Sequence, residues 1–286
     1  MSIGCSINPF VIGDFSSLSE LFSEHFAPGD RVLNKAYSEW LYLKNPFGKA
    51  RIVTATQDGH WLGFMALVPV CLVRLDEVRT GYFVVNVLVH QKQRGRNIFG
   101  TMIEAAKESV RAERAILMGH PNSMAYNAWK RAEMHFQAPL KSYFVMPNFI
   151  RWNVSGGEVT GSSELEWQVC SSIDYLEWRY LRHPTNNYSL RIINMKICPV
   201  GLVVTKKVYA GVNMLIDQFV VNDHMEASLG GAPSLTLAFL PEALAQDCSR
   251  LLPAPSRRVI SFFCTDYEKP IGASEVMRLG LSASDF

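Results

Sequence analysis

The sequence has few charged residues and no marked excess of either sign. Charged residues make up 19% of its 286 positions, and 28 Lys and Arg against 26 Asp and Glu leave a formal net charge of +2. Because a nucleic-acid-binding surface needs a clustered basic excess, we expect no nucleic-acid partner.

The sequence also lacks a segment that would place the chain in a membrane. Its longest apolar run, residues 61–73, is shorter than a bilayer-spanning helix and contains Gly63 and Pro69. No basic segment followed by an apolar run stands at the N-terminus, so the sequence predicts no signal peptide. We therefore expect no membrane partner and a cytoplasmic location.

Closely spaced cysteines are absent as well. The six cysteines are scattered along the chain, at Cys5, Cys71, Cys170, Cys198, Cys248 and Cys264. Such spacing predicts neither a zinc site nor a disulfide framework. We therefore expect no metal, and a compartment that keeps thiols reduced.

The most informative segment is residues 87–100, Val-Leu-Val-His-Gln-Lys-Gln-Arg-Gly-Arg-Asn-Ile-Phe-Gly. An apolar strand, a short basic turn and apolar residues at helical spacing follow one another. The first amides of a helix have no partner within the helix and carry partial positive charge, so this junction is suited to an anion. Arg94 and Arg96 add full charges, and the expected guest is a phosphate or pyrophosphate. The alternative is an ordinary strand–turn–helix junction with solvated arginines.

This segment resembles the acyl-CoA-binding loop of the GCN5-related N-acetyltransferase superfamily. The superfamily pattern is Arg or Gln, two residues, Gly, one residue, then Gly or Ala. Arg94 takes the first place, Asn97 the first Gly place and Phe99 the second. Asn97 is a mild departure because Asn tolerates the left-handed backbone region, whereas Phe99 is a bulkier one.

The resemblance implies acetyl-CoA as co-substrate and direct transfer of its acetyl group to an amine. The end of the strand would contact the pantetheine arm and hold the oxyanion, and the turn would hold the diphosphate. The residues so implied are Val87, Leu88, Val89, Arg94, Gly95, Arg96, Asn97, Ile98, Phe99 and Gly100.

A second pattern of the superfamily, after the next strand, is Asn, two residues, Ala, three residues, Tyr, three residues, Gly-Phe. Asn122 and Ala125 match it, whereas Trp129 stands where Tyr is usual and Glu133-Met134 replaces Gly-Phe. Asn122 is expected either to contact the pantetheine arm or to cap the following helix. In many relatives the Tyr protonates the leaving thiolate, which an indole cannot do. Tyr126, one turn earlier, is therefore the candidate general acid or a packing residue. His120 is the candidate general base or a structural residue, and His90 and a water chain to solvent are the alternatives for the base.

Hydrophobic periodicity predicts an α+β fold. Helices are predicted at residues 17–26, 34–43, from 98 onward and at 123–131, and strands at 51–57, 61–75, 78–89, 115–118 and within 135–152. A strand meander implies antiparallel pairing, and the later helices imply crossovers. We expect a mixed, mostly antiparallel sheet flanked by helices, which is also the element order of the superfamily.

The sequence also contains an internal echo. Residues 178–184, Trp-Arg-Tyr-Leu-Arg-His-Pro, resemble residues 40–46, Trp-Leu-Tyr-Leu-Lys-Asn-Pro, and both follow a predicted helix. A Gly-, Ser- and Thr-rich stretch at residues 153–164 is a predicted linker. We therefore predict two tandem acyl-CoA N-acyltransferase-like units, with an acyl-CoA-binding domain at residues 1–152 and a degenerate copy at residues 165–286. The degenerate copy has an acidic stretch, residues 222–231, in place of the basic turn.

Three functions fit these observations. The first is an acetyl-CoA-dependent N-acetyltransferase for the amine of a small molecule. The Trp-x-Tyr-Leu-x-Asn-Pro segment and the loop resemble those of acetyltransferases found with polysaccharide biosynthesis, so a nucleotide-linked amino sugar is one candidate acceptor. The second is a tandem aminoacyltransferase that uses aminoacyl-tRNA, which the near-neutral charge disfavours. The third is a non-catalytic acyl-CoA-binding or interaction module, because the usual Tyr is missing.

Overall fold

The computed structural model describes residues 3–74, 77–137, 139–145, 150–152, 167–170, 172–194, 199–209, 212–220, 227–229, 235–241, 251–253 and 259–266. The elements of the first half are β1 (Gly4–Pro9), α1 (Phe15–Ser23), α2 (Lys35–Leu43), β2 (Arg51–Gln57), β3 (His60–Arg74), β4 (Glu77–Val89), α3 (Ile98–Ala112), β5 (Ile116–Gly119), α4 (Ser123–Arg131) and β6 (Leu140–Val145). Short 3-10 turns occupy Ile12–Asp14, Arg31–Leu33 and Gln91–Gln93.

The first half ends with β7 (Ile150–Trp152). The second half is mostly strands, and its elements are β8 (Gln168–Val169), α5 (Ile173–Leu176) with a π-helical continuation (Glu177–Leu181), β9 (Tyr188–Asn194), β10 (Pro199–Tyr209), β11 (Val212–Val220), β12 (Ala227–Leu229), β13 (Leu235–Pro241), β14 (Leu251–Pro253), β15 (Val259–Ile260) and β16 (Phe263–Asp266). The predicted α+β class, with mostly antiparallel sheets flanked by helices, is confirmed.

The two larger sheets have different strands but the same order of strand directions. The first has the order β1-β2-β3-β4-β5-β16, and the second has the order β14-β6-β13-β11-β10-β9. In the first, β2, β3 and β4 form an antiparallel meander, β5 lies parallel to β4, and β16 lies antiparallel to β5. In the second, β9, β10, β11, β13 and β6 repeat this succession.

The last strand of each succession comes from the other half of the sequence. β16 pairs Phe263 with Gly119 of β5, and β6 pairs Phe144 with Leu237 of β13. Each half therefore contributes a strand to the sheet of the other half. The domain boundary after residue 152 stays a prediction, although β6 pairs with a strand of the second half and β16 pairs with a strand of the first. The predicted linker at 153–164 lies outside the described residues.

The first sheet is covered on both faces. Side chains of a strand alternate between faces, so Phe64 of β3 packs in the cluster with α1 and α2, and Met65 packs in the cluster with α3. Asn34 caps α2, because its Oδ1 accepts a hydrogen bond from the amide of Ala36 at 2.9 Å. This agrees with the predicted start of that helix.

The two echo segments meet in the core. The rings of Trp40 and Trp178 stack with centroids 4.9 Å apart and an interplanar angle of 19°. The indole Nε1 of Trp40 donates to the carbonyl of Trp178 at 2.7 Å, and that of Trp178 donates to the carbonyl of Trp40 at 2.9 Å. This reciprocal arrangement is the one expected when two copies of a motif pack about a local two-fold axis.

The residues around each Trp make matching contacts. Glu39 pairs with Lys44 at 3.2 Å, and Glu177 pairs with Arg182 at 2.5 Å. In each pair the amide of the basic residue also donates to the carbonyl of the glutamate, at 3.0 Å and 2.7 Å. The resemblance between the segments thus begins one residue before the seven-residue echo.

The polar residue before each Pro has a matching role. Oδ1 of Asn45 accepts from the amide of Phe47 at 3.0 Å, and Nδ1 of His183 accepts from the amide of Thr185 at 3.2 Å. Both side chains are buried. Different residue types therefore close the same turn.

Candidate functional site

A cleft opens where β4 and β5 part. The two parallel strands pair only between Gly81–Val84 and Ile116–Gly119. β4 continues through residues 85–89, which have no strand neighbour on that side among the described residues, while β5 ends and the chain turns into α4. The carboxyl ends of parallel strands are a common place for ligand binding.

A bulge distorts β4 beside this cleft. Opposite β3 the register shifts by one residue between Phe64 and Ala66, so Asn86 and Val87 together face a single residue. Asn86 has a φ of 52°, and its Nδ2 donates to the hydroxyl of Tyr42 at 2.7 Å. A bulge removes backbone groups of the extra residue from the ladder, which leaves them available to a ligand. Nothing in the sequence pattern signalled this bulge.

The basic turn leads into an uncapped helix. Gly95 and Asn97 have φ values of 85° and 56°, so Asn97 adopts the left-handed conformation that Gly would provide in the superfamily pattern. The Asn97 side chain makes no capping hydrogen bond, and the first bond of α3 runs from the amide of Thr101 to the carbonyl of Asn97 at 3.1 Å. No described residue accepts a hydrogen bond from the amides of residues 98–100.

The two departures from the superfamily patterns contact each other. The ring of Phe99 meets that of Trp129 edge-on, with centroids 5.7 Å apart. Trp129 is 1% exposed and stacks on Phe263 of β16 at 4.5 Å. Phe99 therefore packs towards α4, and the Trp that replaces the usual Tyr is a core residue.

His90 fixes the start of the turn. Its Nδ1 accepts from the amide of Lys92 at 3.2 Å, and its Nε2 lies 3.0 Å from a carboxylate oxygen of Glu24. Because both ring nitrogens are engaged, His90 links the turn to α1 and is not a candidate general base.

His25 lies within electrostatic range of Arg94. Burial, followed by the positive charge of Arg94, lowers the pKa of His25, while the nearby Glu24 opposes this effect. The Nε2 atom of His25 is buried and has no hydrogen-bond partner among the described residues. The positive charge of Arg94 in the turn therefore affects the pKa of a residue just after the end of α1.

His120 directly follows β5, one residue after the last pair between β4 and β5. Its Nδ1 lies 3.0 Å from the carbonyl of Ser261, and its ring packs on Phe262 at 4.8 Å. A carbonyl at this nitrogen favours the tautomer with a proton on Nδ1 and the lone pair on Nε2. The sequence could not predict this support, because 141 residues separate the partners.

Asn122 and Tyr126 lie on the next turns of the chain. Oδ1 of Asn122 accepts from the amide of Ala125 at 2.9 Å, so Asn122 caps α4. Tyr126 is half-buried, and its ring lies 4.5 Å from that of Phe136. Capping and packing account for both positions, and their predicted ligand roles stay predictions.

The predicted site residues thus fall in two segments of the chain. One is the end of β4 with the basic turn and the start of α3, and the other runs from the end of β5 into α4. The Phe99–Trp129 contact joins α3 to α4.

Other features lie away from the cleft. A groove of about 650 Å³ between β1 and α3 is lined by Arg51, Glu108 and their neighbours, and it contains none of the predicted site residues. In the part of the chain that the structure describes, no three His, Cys, Asp or Glu side chains cluster as metal ligands. Of the described helices, none combines the length and apolarity needed to span a bilayer.

Known structures share this architecture. The chain superposes on a probable N-acyltransferase of Enterococcus faecalis with a TM-score of 0.66 and 11% identity, over 93% of this chain and 73% of that one. It superposes on a GCN5-related N-acetyltransferase of Anabaena variabilis with a TM-score of 0.60 and 11% identity, over 92% of this chain and 73% of that one. For a putative acetyltransferase of Pyrococcus horikoshii the TM-score is 0.54 and the identity 13%, over 96% of this chain and 92% of that one. No family model and no curated protein matches the sequence. The chain therefore has the fold of the GCN5-related N-acetyltransferases.

Proposed function

We propose that this protein is an acyl-CoA-dependent N-acyltransferase that moves an acetyl group to the amine of a small molecule. The observation that carries the proposal is the cleft between β4 and β5, which has a bulged strand on one side and an uncapped, arginine-flanked helix start at its end. The fold of the structural neighbours supports the same reaction class.

The residues present fit acetyl-CoA as co-substrate. The amides of residues 98–100 are not used by described residues, and they directly follow the left-handed backbone at Gly95 and Asn97. Arg94 and Arg96 are exposed beside these amides. Together they would hold the diphosphate, because backbone N–H groups and guanidinium groups both favour phosphate oxygens.

The end of β4 would hold the pantetheine arm and the reacting carbonyl. Residues 87–89 follow the bulge and lack a strand neighbour towards β5 among the described residues. Backbone groups of Val87, Leu88 and Val89 would contact the arm, and an amide released by the bulge would donate to the oxyanion.

The proton transfers are assigned to the opposite wall. Nε2 of His120 would accept a proton from the acceptor amine, which then attacks the thioester carbonyl. The Tyr126 hydroxyl would donate a proton to the leaving thiolate. Ser261 and Phe262 would hold His120 in the required tautomer and orientation.

We also propose that the second half is a degenerate copy of the first. The matching strand succession and the reciprocal Trp40–Trp178 contact support this proposal. The site is assigned to the first half because the basic turn has no counterpart in residues 222–231 of the sequence.

An acyl-CoA-binding module without catalysis is the second candidate. The burial of Trp129 favours it, since a buried Trp occupies the position at which relatives usually have the Tyr that acts as general acid. A catalyst releases free CoA in the presence of an amine, whereas a binding module shows CoA-dependent thermal stabilisation without thiol release.

The test is a thiol-release screen with acetyl-CoA. The acceptors should include nucleotide-linked and free amino sugars, amino acids, polyamines and aminoglycosides, with aminoacyl-tRNA tested separately as an acyl donor. Acceptor-dependent release of CoA supports the proposal. If CoA stabilises the protein but no acceptor causes thiol release, the non-catalytic binding module is the better account. If CoA neither stabilises the protein nor is released, the proposed site is wrong.

Tyr126→Phe tests the general acid. We expect turnover to fall about 10-fold or more with unchanged affinity for CoA, because only proton delivery is lost. Tyr82→Phe is the matched control, since it removes a hydroxyl that donates to Glu113 at 2.9 Å, away from the predicted site residues. Equal turnover of Tyr126→Phe and the wild type would remove Tyr126 from the mechanism.

A further inference from the structure

Two cysteines that are far apart in the sequence lie opposite each other on paired strands. β8 pairs with β3 through Leu72–Val169 and Val73–Gln168. The same register places Cys71 opposite Cys170, and the amide of Cys170 donates to the carbonyl of Cys71 at 2.8 Å. The closeness of this pair was invisible in the sequence spacing.

The geometry of this pair suits a cross-link. Directly opposed residues of an antiparallel, hydrogen-bonded pair have Cα atoms about 5.5 Å apart, which falls within the range of disulfides. Both thiols are free and half-buried, so a small reagent has access to them. Burial, followed by the neighbouring Cys170, raises the pKa of the Cys71 thiol, which agrees with contact between the two side chains.

The position of the pair gives a cross-link a mechanical consequence. β8 is the first described strand after residue 152. The fully buried Trp167 beside it packs under Arg74 and Arg79, whose Cζ atoms lie 4.4 Å and 5.3 Å from the ring centroid. Shortly after β8 the chain enters α5 and reaches Trp178, which stacks on Trp40. A bond between β3 and β8 would therefore fix the second half to the first sheet just before this contact.

We propose that Cys71 and Cys170 form a reversible cross-strand disulfide that clamps β8 to β3. The oxidant is a low-molecular-weight disulfide such as oxidised glutathione. One protein thiolate attacks the oxidant and releases the first small thiol, and the second protein thiolate then attacks the mixed disulfide and releases the second. Two protein thiols and one small disulfide thus give one protein disulfide and two small thiols.

The cross-link does not depend on acyl transfer, and its test is peptide mapping without reduction. Protein equilibrated in glutathione buffers of increasing oxidation is blocked with N-ethylmaleimide, digested and analysed by mass spectrometry. We expect a Cys71–Cys170 linked peptide that dithiothreitol removes. It should persist in Cys5→Ser, which changes a half-buried cysteine on β1, and be absent from Cys71→Ser and Cys170→Ser. Thiols that stay reduced in oxidised glutathione, or that carry glutathione without joining, would overturn the proposal.

The clamp has its own readout. The oxidised wild-type protein should melt about 5 °C or more above the reduced protein, because the bond closes a long loop. Oxidation should leave the melting temperature of Cys170→Ser unchanged. A linked peptide without a rise in melting temperature would contradict a clamp between the two halves.

Discussion

The two halves of the chain keep the same packing around the paired tryptophans but differ in the loop that would hold a ligand. Trp40 and Trp178 exchange equivalent hydrogen bonds, and the glutamate before each one pairs with the basic residue five positions later. In the first half the meander of strands ends in a basic turn and an uncapped helix. The corresponding stretch of the second half, residues 222–231, contains no Lys or Arg.

The strands that border the cleft extend this comparison. β4 has a register shift against β3, and the pair of β10 and β11 has two, between Val204 and Thr205 and between Lys207 and Tyr209. Both strands have a parallel neighbour over only a short stretch. The two halves thus share the form of the strand backbone but not the basic residues of the turn, which is the difference that the proposed duplication and the proposed site would explain.

The largest expected effect breaks the contact that the two halves share. Trp40→Ala and Trp178→Ala should each lower the free energy of unfolding by about 3–5 kcal/mol, because each removes a buried, stacked indole. The double variant should lose less than the sum, since the residues are in contact. The measurement is urea unfolding.

Met124→Ala is the control for the Trp variants. Its side chain is 81% exposed, so the change should stay within about 0.5 kcal/mol. A large loss for one Trp variant and almost none for the other would show that the two segments are not equivalent.

The next largest effect tests the basic turn, which only the first half has. Arg94→Glu should weaken CoA binding about 100-fold or more, because a charge-assisted contact is replaced by repulsion of the diphosphate. Lys35→Glu makes the same change of charge at an exposed position outside the cleft and should leave affinity unchanged. Calorimetric titration with CoA measures both, and wild-type affinity in Arg94→Glu would remove the turn from the site.

A smaller effect compares the helix starts of the two halves. Asn34 Oδ1 accepts from the amide of Ala36 at 2.9 Å, and Ser172 Oγ accepts from the amide of Tyr175 at 3.3 Å. Each change to Ala should cost about 1 kcal/mol of unfolding free energy, with the longer bond of Ser172 costing less. Chemical unfolding measures both, and a stable Ser172→Ala beside an unstable Asn34→Ala would confine capping to the first half.

The smallest effect is a shift in the titration of His25. Because Arg94 helps to lower its pKa, Arg94→Gln should raise that pKa, and bound CoA should raise it in the wild type by neutralising the same charge. A lowered His pKa means that the unfolded chain binds the proton more readily. The stability from neutral His25 is therefore fully present above its ordinary pKa and is lost as the pH falls from that value through the lowered pKa of the folded protein. Titration by NMR tests this, and an unchanged pKa in Arg94→Gln would contradict their proximity.

Local elements were the most predictable part of the fold. The bounds of β2 and α4 agree with the predictions, because the Asp58-Gly59 turn that ends β2 and the Asn122 cap of α4 are encoded by neighbouring residues. β1 was not predicted, since none of its residues is buried at the edge of the sheet. The exchange of β6 and β16 was not predicted either, because hydrophobic patterns do not say which distant strand becomes the neighbour.

In the candidate site, as in the fold, the sequence predicted the features that lie within one continuous segment. The basic turn and the left-handed Asn97 belong to one continuous segment, and the structure adds the strand opening beside them. The support of His120 by Ser261 and the opposition of Cys71 and Cys170 each join positions about a hundred or more residues apart. Spacing along the chain carries no signal for such contacts.

Hydrogen exchange measured by mass spectrometry, with and without CoA, tests the central claim most directly. The account predicts that CoA slows exchange in residues 87–101, at the end of β4 and the first turn of α3, and leaves β11 unchanged. Unaltered exchange in residues 87–101 under saturating CoA, or protection confined to the second half, would contradict it.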